Sequence, residues 1–206
     1  MRIIAGTYRS RQLQAPTGMA TRPTSDRLRE TVFNVLAPQI EGARFLDLYA
    51  GSGAVGLEAL SRGAEHVVFV ERAPAALKAL RSNLDKLGVK RGFDLQACSV
   101  REYLRRAASV PRGFDVVFLD PPYDVEAEYE GTLRALGGAD VAPRSQMRDP
   151  GHPGSYLLAA GAVVIAEHRR KERLQDSYGA LQRTRLLEQG DAALCFYAIG
   201  TMAAGN

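Results

Sequence analysis

The chain is poor in cysteine and histidine. Only two cysteines, Cys98 and Cys195, occur in 206 residues, both in apolar, strand-like stretches with no CxxC or Cys/His spacing. That excludes a disulfide scaffold and a zinc finger, and the two thiols read as reduced core residues of an intracellular protein. The three histidines, His66, His152 and His168, are scattered and no HExxH is present, so no metal centre is expected. Long apolar runs are also lacking. The longest, Leu157 to Ala166, is too short to span a bilayer, and the Met1 end has no signal-peptide pattern. No membrane association is expected, and a cytoplasmic location is. Internal repeats are absent.

What is present is enough for a full core. With 46% hydrophobic and 24% charged residues the chain needs neither disulfide nor metal to fold. Its net charge is +4 and its pI about 9.2, only moderately basic, but the distribution is uneven. From Met1 to Ser25 there are Arg2, Arg9, Arg11 and Arg22 and no acid at all. Such an arm suits phosphate contacts, with Tyr8 available to stack on a base or sugar. The plain alternative is a solvated N-terminal strand. A second basic run, His168 to Arg173, follows an apolar strand.

Periodicity and punctuation divide the rest into alternating elements. Thr24 to Pro38 reads as a helix capped by Ser25 or Asp26, with an apolar stripe at Leu28, Val32 and Val35/Leu36 and Pro38 as its stop. Strands are expected near 44–49, 66–71, 93–98, 114–120 and 161–166. Helices are expected near 54–62, 74–87 (Pro74 at its start, Gly88 past its end), 99–108 and 126–136. Leu181 to Leu187 and Ala193 to Ile199 flank Glu188-Gln189-Gly190-Asp191-Ala192 and read as a hairpin. Residues 137–155, rich in Gly, Pro, Asp and Arg, read as a long surface loop. The expected division is an N-terminal arm and capped helix over 1–40 and an α/β domain over 41–206.

Two segments carry chemistry. In Phe45-Leu46-Asp47-Leu48-Tyr49-Ala50-Gly51-Ser52-Gly53 an apolar strand ends in glycines and opens a helix, the way a doubly wound sheet builds a nucleotide site. Dinucleotide and adenosyl-cofactor enzymes share this GxGxxG pattern, because both need the backbone to approach a ligand closely. Asp47 helps to separate them. It would repel a pyrophosphate but suits the cationic amino group of S-adenosylmethionine. Glu71 closes the next strand where an acid grips ribose hydroxyls. As plain alternatives, Asp47 and Glu71 are solvated strand-end charges. In the second segment, strand 114–119 runs into Asp120-Pro121-Pro122-Tyr123. Two prolines leave a loop that accepts hydrogen bonds and donates few. A carboxylate, a carbonyl and an aromatic face suit a flat ring with an exocyclic amine; otherwise the prolines simply end the strand.

These residues resemble a known family. Arg2 to Gly6 with Arg9 and Arg11, then Arg22-Pro23-Thr24-Ser25-Asp26-Arg27-Leu28-Arg29-Glu30-Thr31-Val32-Phe33-Asn34, then 46–63 and Asp120 to Tyr123, are similar to the bacterial RsmD family of small-subunit rRNA guanine-N2 methyltransferases. The resemblance implies a Rossmann-like class I methyltransferase, with a mostly parallel seven-stranded sheet, a C-terminal antiparallel hairpin and a short N-terminal extension. It also implies S-adenosylmethionine as donor and one guanine of 16S rRNA, in the small ribosomal subunit or an assembly intermediate, as acceptor for a monomeric enzyme. By position, Asp47, Ala50, Gly51, Ser52 and Gly53 would face the donor's amino acid part and Glu71 its ribose. Ser99 and Val100 would lie at its adenine, Thr24, Phe33 and Asn34 would close its pocket, and Asp120 to Tyr123 would hold the base, with Asp120 also at the cofactor. Arg2, Tyr8, Arg9, Arg11 and Arg22 would meet RNA. Two positions depart from the family. Ser10 replaces a common glycine in the arm. Ser99 replaces an acid that meets adenine, and its spacing to Glu102 is that of a helix cap.

The implied chemistry is metal-free. Hydrogen bonds from the amine to Asp120 and the Pro121 carbonyl would stabilise charge developing on a poorly nucleophilic nitrogen. Tyr123 would replace the stacking lost when the base leaves its helix. A DNA adenine-N6 or cytosine-N4 methyltransferase would use the same loop, with only the 22–34 block and the lack of room for a target-recognition domain against it. A nicotinamide-linked oxidoreductase and a non-catalytic RNA-binding assembly factor are the other readings.

Overall fold

The computed structural model describes residues 1–16, 25–107, 113–122, 126–138 and 157–200. Its elements in chain order are α1 Asp26–Leu36, β1 Arg44–Leu48, α2 Ala54–Ser61, β2 His66–Val70, α3 Pro74–Leu87, β3 Phe93–Gln96 and α4 Val100–Arg106. They continue with β4 Phe114–Leu119, α5 Glu126–Leu136, β5 Leu158–Arg169, β6 Ser177–Tyr178, β7 Leu181–Gln189 and β8 Ala192–Ile199. The strands form one sheet in the order β3-β2-β1-β4-β5-β8-β7-β6. The first five are mutually parallel, and β8, β7 and β6 are added antiparallel. This is the expected doubly wound sheet closed by a hairpin. The strand beyond the expected seven is the two-residue β6, which pairs with β7 across Gly179-Ala180.

Strands buried on both faces need apolar side chains in both directions, and β1 and β4 have them. Phe45, Phe69, Val116 and Phe118 join Leu28, Val32, Phe33, Leu57 and Leu80 in one core beneath α1, α2 and α3. Leu46, Val68, Val117 and Val164 join Val100, Tyr103, Tyr129 and Leu133 in the other, beneath α4 and α5. Helix ends follow the expected signals. Ser25 Oγ accepts from Leu28 N (3.1 Å), Pro74 opens α3, and Gly88 closes it at φ +73°. The fifth strand is longer than 161–166, because Glu167 and His168 are buried where they pair with Leu194 and Ala193 of β8. The polar triplet Glu167-His168-Arg169, beyond the expected strand end, is held in the sheet by its neighbour.

Residues 1–14 fold back on themselves through an antiparallel bridge, Arg2 to Gln12, and insert Ile3 and Leu13 into the first core. The arm is therefore packed against the sheet domain. Most of the expected long loop, and positions 22–24 of the family block, lie outside the described residues.

Candidate functional site

Four neighbouring strands, β2, β1, β4 and β5, each bring a carboxylate toward the carboxyl edge of the sheet: Glu71, Asp47, Asp120 and Glu167 in that order. Asp47 sits inside β1, opposite Phe69 on one side and Phe118 on the other. It is only 2% exposed, and its Oδ2 accepts from Gly56 N at 2.8 Å. The solvated alternative is thereby removed. Burial pushes this carboxyl up to about 7, against the pull of the Gly56 N–H, and Glu71 adds to the rise. Gly56 is required by this contact. A Cβ there would lie 2.3 Å from Phe69 Cε1 and 2.9 Å from Asp47 Oδ2, so only glycine lets α2 press onto the strand ends.

The turn between β1 and α2 is tied on every side. Ala50 N donates to Val70 O (3.0 Å) and Gly53 N to Ala50 O (2.7 Å). Gly51 N donates to Glu71 Oε2 (2.8 Å), while Glu71 Oε1 accepts from Arg72 N and Ala73 N, each at 2.7 Å. Glu71 thus binds its own turn to the glycine turn; Oε1 is filled by two N–H groups, and Oε2 keeps a further lone pair toward a ligand. The Ser52 carbonyl accepts from Asn83 Nδ2 (2.9 Å), and Asn83 in turn pairs with Gln14 of the arm. Tyr49 holds φ +60°, an uncommon conformation for a bulky residue, with its hydroxyl bonded to Glu128 (2.8 Å) and Thr132 (2.9 Å) of α5. The turn after β1 is therefore clamped to the helix that follows the Asp-Pro-Pro loop.

Asp120 follows β4 and is half-buried beside Pro121. The register Leu119 to Ala166 sets it alongside Glu167. Burial raises its carboxyl well above the usual carboxylate range, and Glu167, Asp47 and Glu172 raise it further. Glu167 is the contribution that sequence reasoning missed. It was legible only as one more strand-end acid, one residue past the expected end of its strand. Taken together, the crevice concentrates negative charge, which attracts a cation and repels a pyrophosphate.

Other expected residues fall elsewhere. Ser99 caps α4, its Oγ accepting from Glu102 N (3.2 Å), and Val100 is buried in the second core. Phe33 is fully buried against Phe45, with ring centroids 6.2 Å apart, beneath the Arg62 guanidinium. Asn34 is exposed one turn beyond Thr31, which bonds Gln189 of the hairpin. Phe33 is thus a core residue, in the same buried cluster as Ala50 of the glycine turn. Thr24, Arg22 and Tyr123 lie outside the described residues.

The arm is anchored by another group that sequence reasoning missed. Glu58, fully buried on α2, accepts from Ile4 N (2.7 Å) and Ala5 N (3.0 Å) and pairs with Arg62 Nε (2.7 Å) and, at 3.8 Å, with the buried Arg29 Nε. Further along, Thr7 N donates to Ser61 O (2.8 Å). Gly6 approaches so closely that a Cβ would lie 1.7 Å from that oxygen. Ser10 adopts φ +68°, so the serine keeps the left-handed backbone a glycine would take. Arg2 lies 3.7 Å from Asp26, and Arg11 donates to Lys86 O (3.0 Å). Arg2 and Arg9 line a cavity of about 450 Å³ with Asp26, Arg27 and Glu30.

Residues 1–147 match the family described as conserved hypothetical protein 95. The chain belongs to this family, that of RsmD. It is 36% identical over 197 residues to "Putative rRNA methyltransferase YlbH" of Bacillus subtilis, covering 96% of this chain and 98% of that one. It is 43% identical over 125 residues to "Ribosomal RNA small subunit methyltransferase D" of Escherichia coli, covering 60% of each. The chain thus spans less than two thirds of that relative's length. The solved structure of "Putative methyltransferase yhhF" from Escherichia coli superposes with TM-score 0.75 at 30% identity, covering 96% of both chains. The family membership removes the nicotinamide reading, and the fold is that of class I methyltransferases. Among the described residues no helix is long and apolar enough to cross a membrane.

Proposed function

We propose that this chain transfers a methyl group from S-adenosylmethionine to the exocyclic N2 of one guanine in 16S rRNA, acting as a cytoplasmic monomer on the small subunit or an assembly intermediate. The observation that carries the reading is the set of four carboxylates on adjacent strand ends behind a glycine turn, in a member of this family. The residues fit the donor. Its ammonium and sulfonium are cationic and it has no phosphate, matching an acidic crevice. Asp47 and the backbone of Ala50 to Gly53 would hold the amino acid part, and Glu71 the ribose hydroxyls. Ser99, spent on capping α4, leaves adenine to neighbouring backbone. Bound there, the donor supplies an electrophilic methyl.

The chain's own residues then act on the acceptor. Asp120 and the Pro121 carbonyl accept hydrogen bonds from the amine and stabilise positive charge as it develops on nitrogen. Tyr123 would stack on the extruded base. A carboxylate crowded by Glu167 and Asp47 binds a proton tightly, so Asp120 is the group suited to receive the one the nitrogen loses. The rigid turns at Glu71 and Tyr49 supply positioning.

The test is to incubate the protein with methyl-labelled donor and either small subunits lacking the modification or plasmid DNA, then map the label by mass spectrometry. Label at guanine N2 of the small-subunit RNA is expected. Label on DNA, or none on RNA, refutes the reading.

A further inference from the structure

An acidic crevice poses a difficulty for an RNA enzyme. The carboxylates that favour a cationic donor repel the phosphates flanking the target base, so those phosphates need cations at the crevice rim. The arm places its charges poorly for this. It runs along α2, with Met1 and Gln14 near Ser52 and Asn83 at the crevice end and Thr7 and Tyr8 on Ser61 at the far end. An eight-residue helix is about 12 Å long, so Arg9 lies about that far from the glycine turn. Arg11 is committed to the Lys86 carbonyl in the last turn of α3, and Arg2 is paired with Asp26.

The turn after β5 is placed differently. It leaves the carboxyl edge next to the strand that carries Asp120, and it presents Arg170, Lys171 and Arg173, all exposed. Its path is fixed. Arg170 N donates to Asp191 O (2.8 Å), tying it to the β7–β8 turn, and Glu172 N donates to Arg169 O (2.9 Å). Glu172 turns back to accept from Arg169 N (3.2 Å). Arg170 lies 3.9 Å from Glu188, while among the described residues Lys171 and Arg173 form no ion pair. A rigid, exposed pair of uncommitted cations beside an acidic pocket is what a phosphodiester backbone needs in order to present one base to that pocket.

We propose that the turn at Lys171 and Arg173 holds the RNA phosphates flanking the target base. This rests on the rRNA reading above. For a single strand each phosphate contact contributes about 0.7 to the dependence of log affinity on log salt. Losing two contacts should flatten the slope by about 1.4, so the affinity lost between 50 and 200 mM salt shrinks about 7-fold.

The experiment measures binding of a small-subunit rRNA fragment across that salt range, and steady-state methylation, for the full-length parent, the double variant Lys171→Ala/Arg173→Ala and the variant Arg9→Ala. The expected result for the double variant is the flattened slope and a raised KM for RNA, with near-parental kcat and donor affinity. Lys171→Arg should behave as the parent. A parental slope in the double variant, while the parent methylates rRNA, overturns the turn's role alone. A raised KM on assembled subunits with an unchanged slope on the fragment also overturns it, because the turn would then meet a subunit protein. A parent that neither binds nor methylates rRNA overturns the functional reading and the turn's role together.

Discussion

Replacing Asp47 with Asn should make the protein more stable and a worse enzyme. Asp47 is buried, and its carboxyl is raised from the ordinary 3.8 to about 7 chiefly by desolvation. A folded-state value above the unfolded one means that ionisation opposes folding. Below pH 3.8 both states hold the proton and nothing is lost. Between 3.8 and 7 the unfolded chain ionises while the folded one stays neutral, and stability falls with rising pH. Above pH 7 the loss is complete. Three pH units at 1.36 kcal/mol each set it at about 4 kcal/mol. Asparagine cannot ionise, and its carbonyl can still accept from Gly56 N. The variant should therefore exceed the parent by up to about 4 kcal/mol at pH 8, roughly 8–16 °C in Tm for a domain of this size, with the gap closing toward pH 4. Donor binding should move the other way, about 10- to 150-fold weaker at pH 8 for loss of a charge-assisted hydrogen bond. Thermal denaturation and calorimetry with S-adenosylhomocysteine at several pH values test both. A stability difference that does not change with pH would refute the argument, since it would show that Asp47 is ionised at no cost.

Three further substitutions probe separate parts of the site. Asp120→Ala should lower turnover about 100-fold or more, because an oriented acceptor is lost at the developing charge. Calorimetry should find its donor affinity within a few-fold of the parent, and near-normal turnover would remove Asp120 from the chemistry. Glu71→Gln should weaken the donor about 10-fold or more with less effect on the saturated rate, since a ribose hydrogen bond to a charged oxygen becomes a neutral one. An unchanged isotherm would release Glu71 from the ribose. Glu58→Ala strips the buried Arg29 of its counter-charge and Ile4 and Ala5 of their acceptor, so about 3–5 kcal/mol of stability should go, read by urea denaturation. Proteolysis should then cut residues 1–16 first, and a loss under 1 kcal/mol would mean that the arm is not held by this carboxylate.

The fold was legible where local chemistry and tertiary packing agree. The Ser25 cap, Pro74 at the head of α3, Gly88 past its end and the apolar runs of β1, β2 and β4 each follow from short-range rules, and each element lies within a few residues of expectation. The β1 glycine turn and the acids Asp47, Glu71 and Asp120 were legible as positions, because a strand–turn–helix pattern sets them at the carboxyl edge of the sheet. What was illegible depends on neighbours distant in sequence. Glu167 and His168 lie past the expected end of their strand, and only pairing with β8 keeps them in the sheet. Glu58, in an apolar helix, looks like a surface acid until two backbone N–H groups of the arm and two arginines surround it. Phe33 carries a family motif position, but its stacking on Phe45 is a property of the packed core. The four arginines of the arm look uncommitted in sequence because Asp26 and the Lys86 carbonyl, which engage two of them, come later in the chain.

Charge explains how one sheet edge can serve two oppositely charged molecules. The donor needs negative charge close by and the RNA needs positive charge, so the two cannot share a surface without weakening each other. Here the separation follows the strands. Carboxylates at the ends of β2, β1, β4 and β5 lie low in the crevice, where burial makes two of them hold protons tightly. The cations lie farther along the chain, on the exposed connection after β5, where dissolved salt screens exposed charges over a Debye length of about 8 Å at physiological ionic strength. A cation bound in the crevice favours the ionised form of Asp47, which burial opposes. On the proposed reading, the desolvation that costs stability at Asp47 is thus offset by the cationic donor it holds.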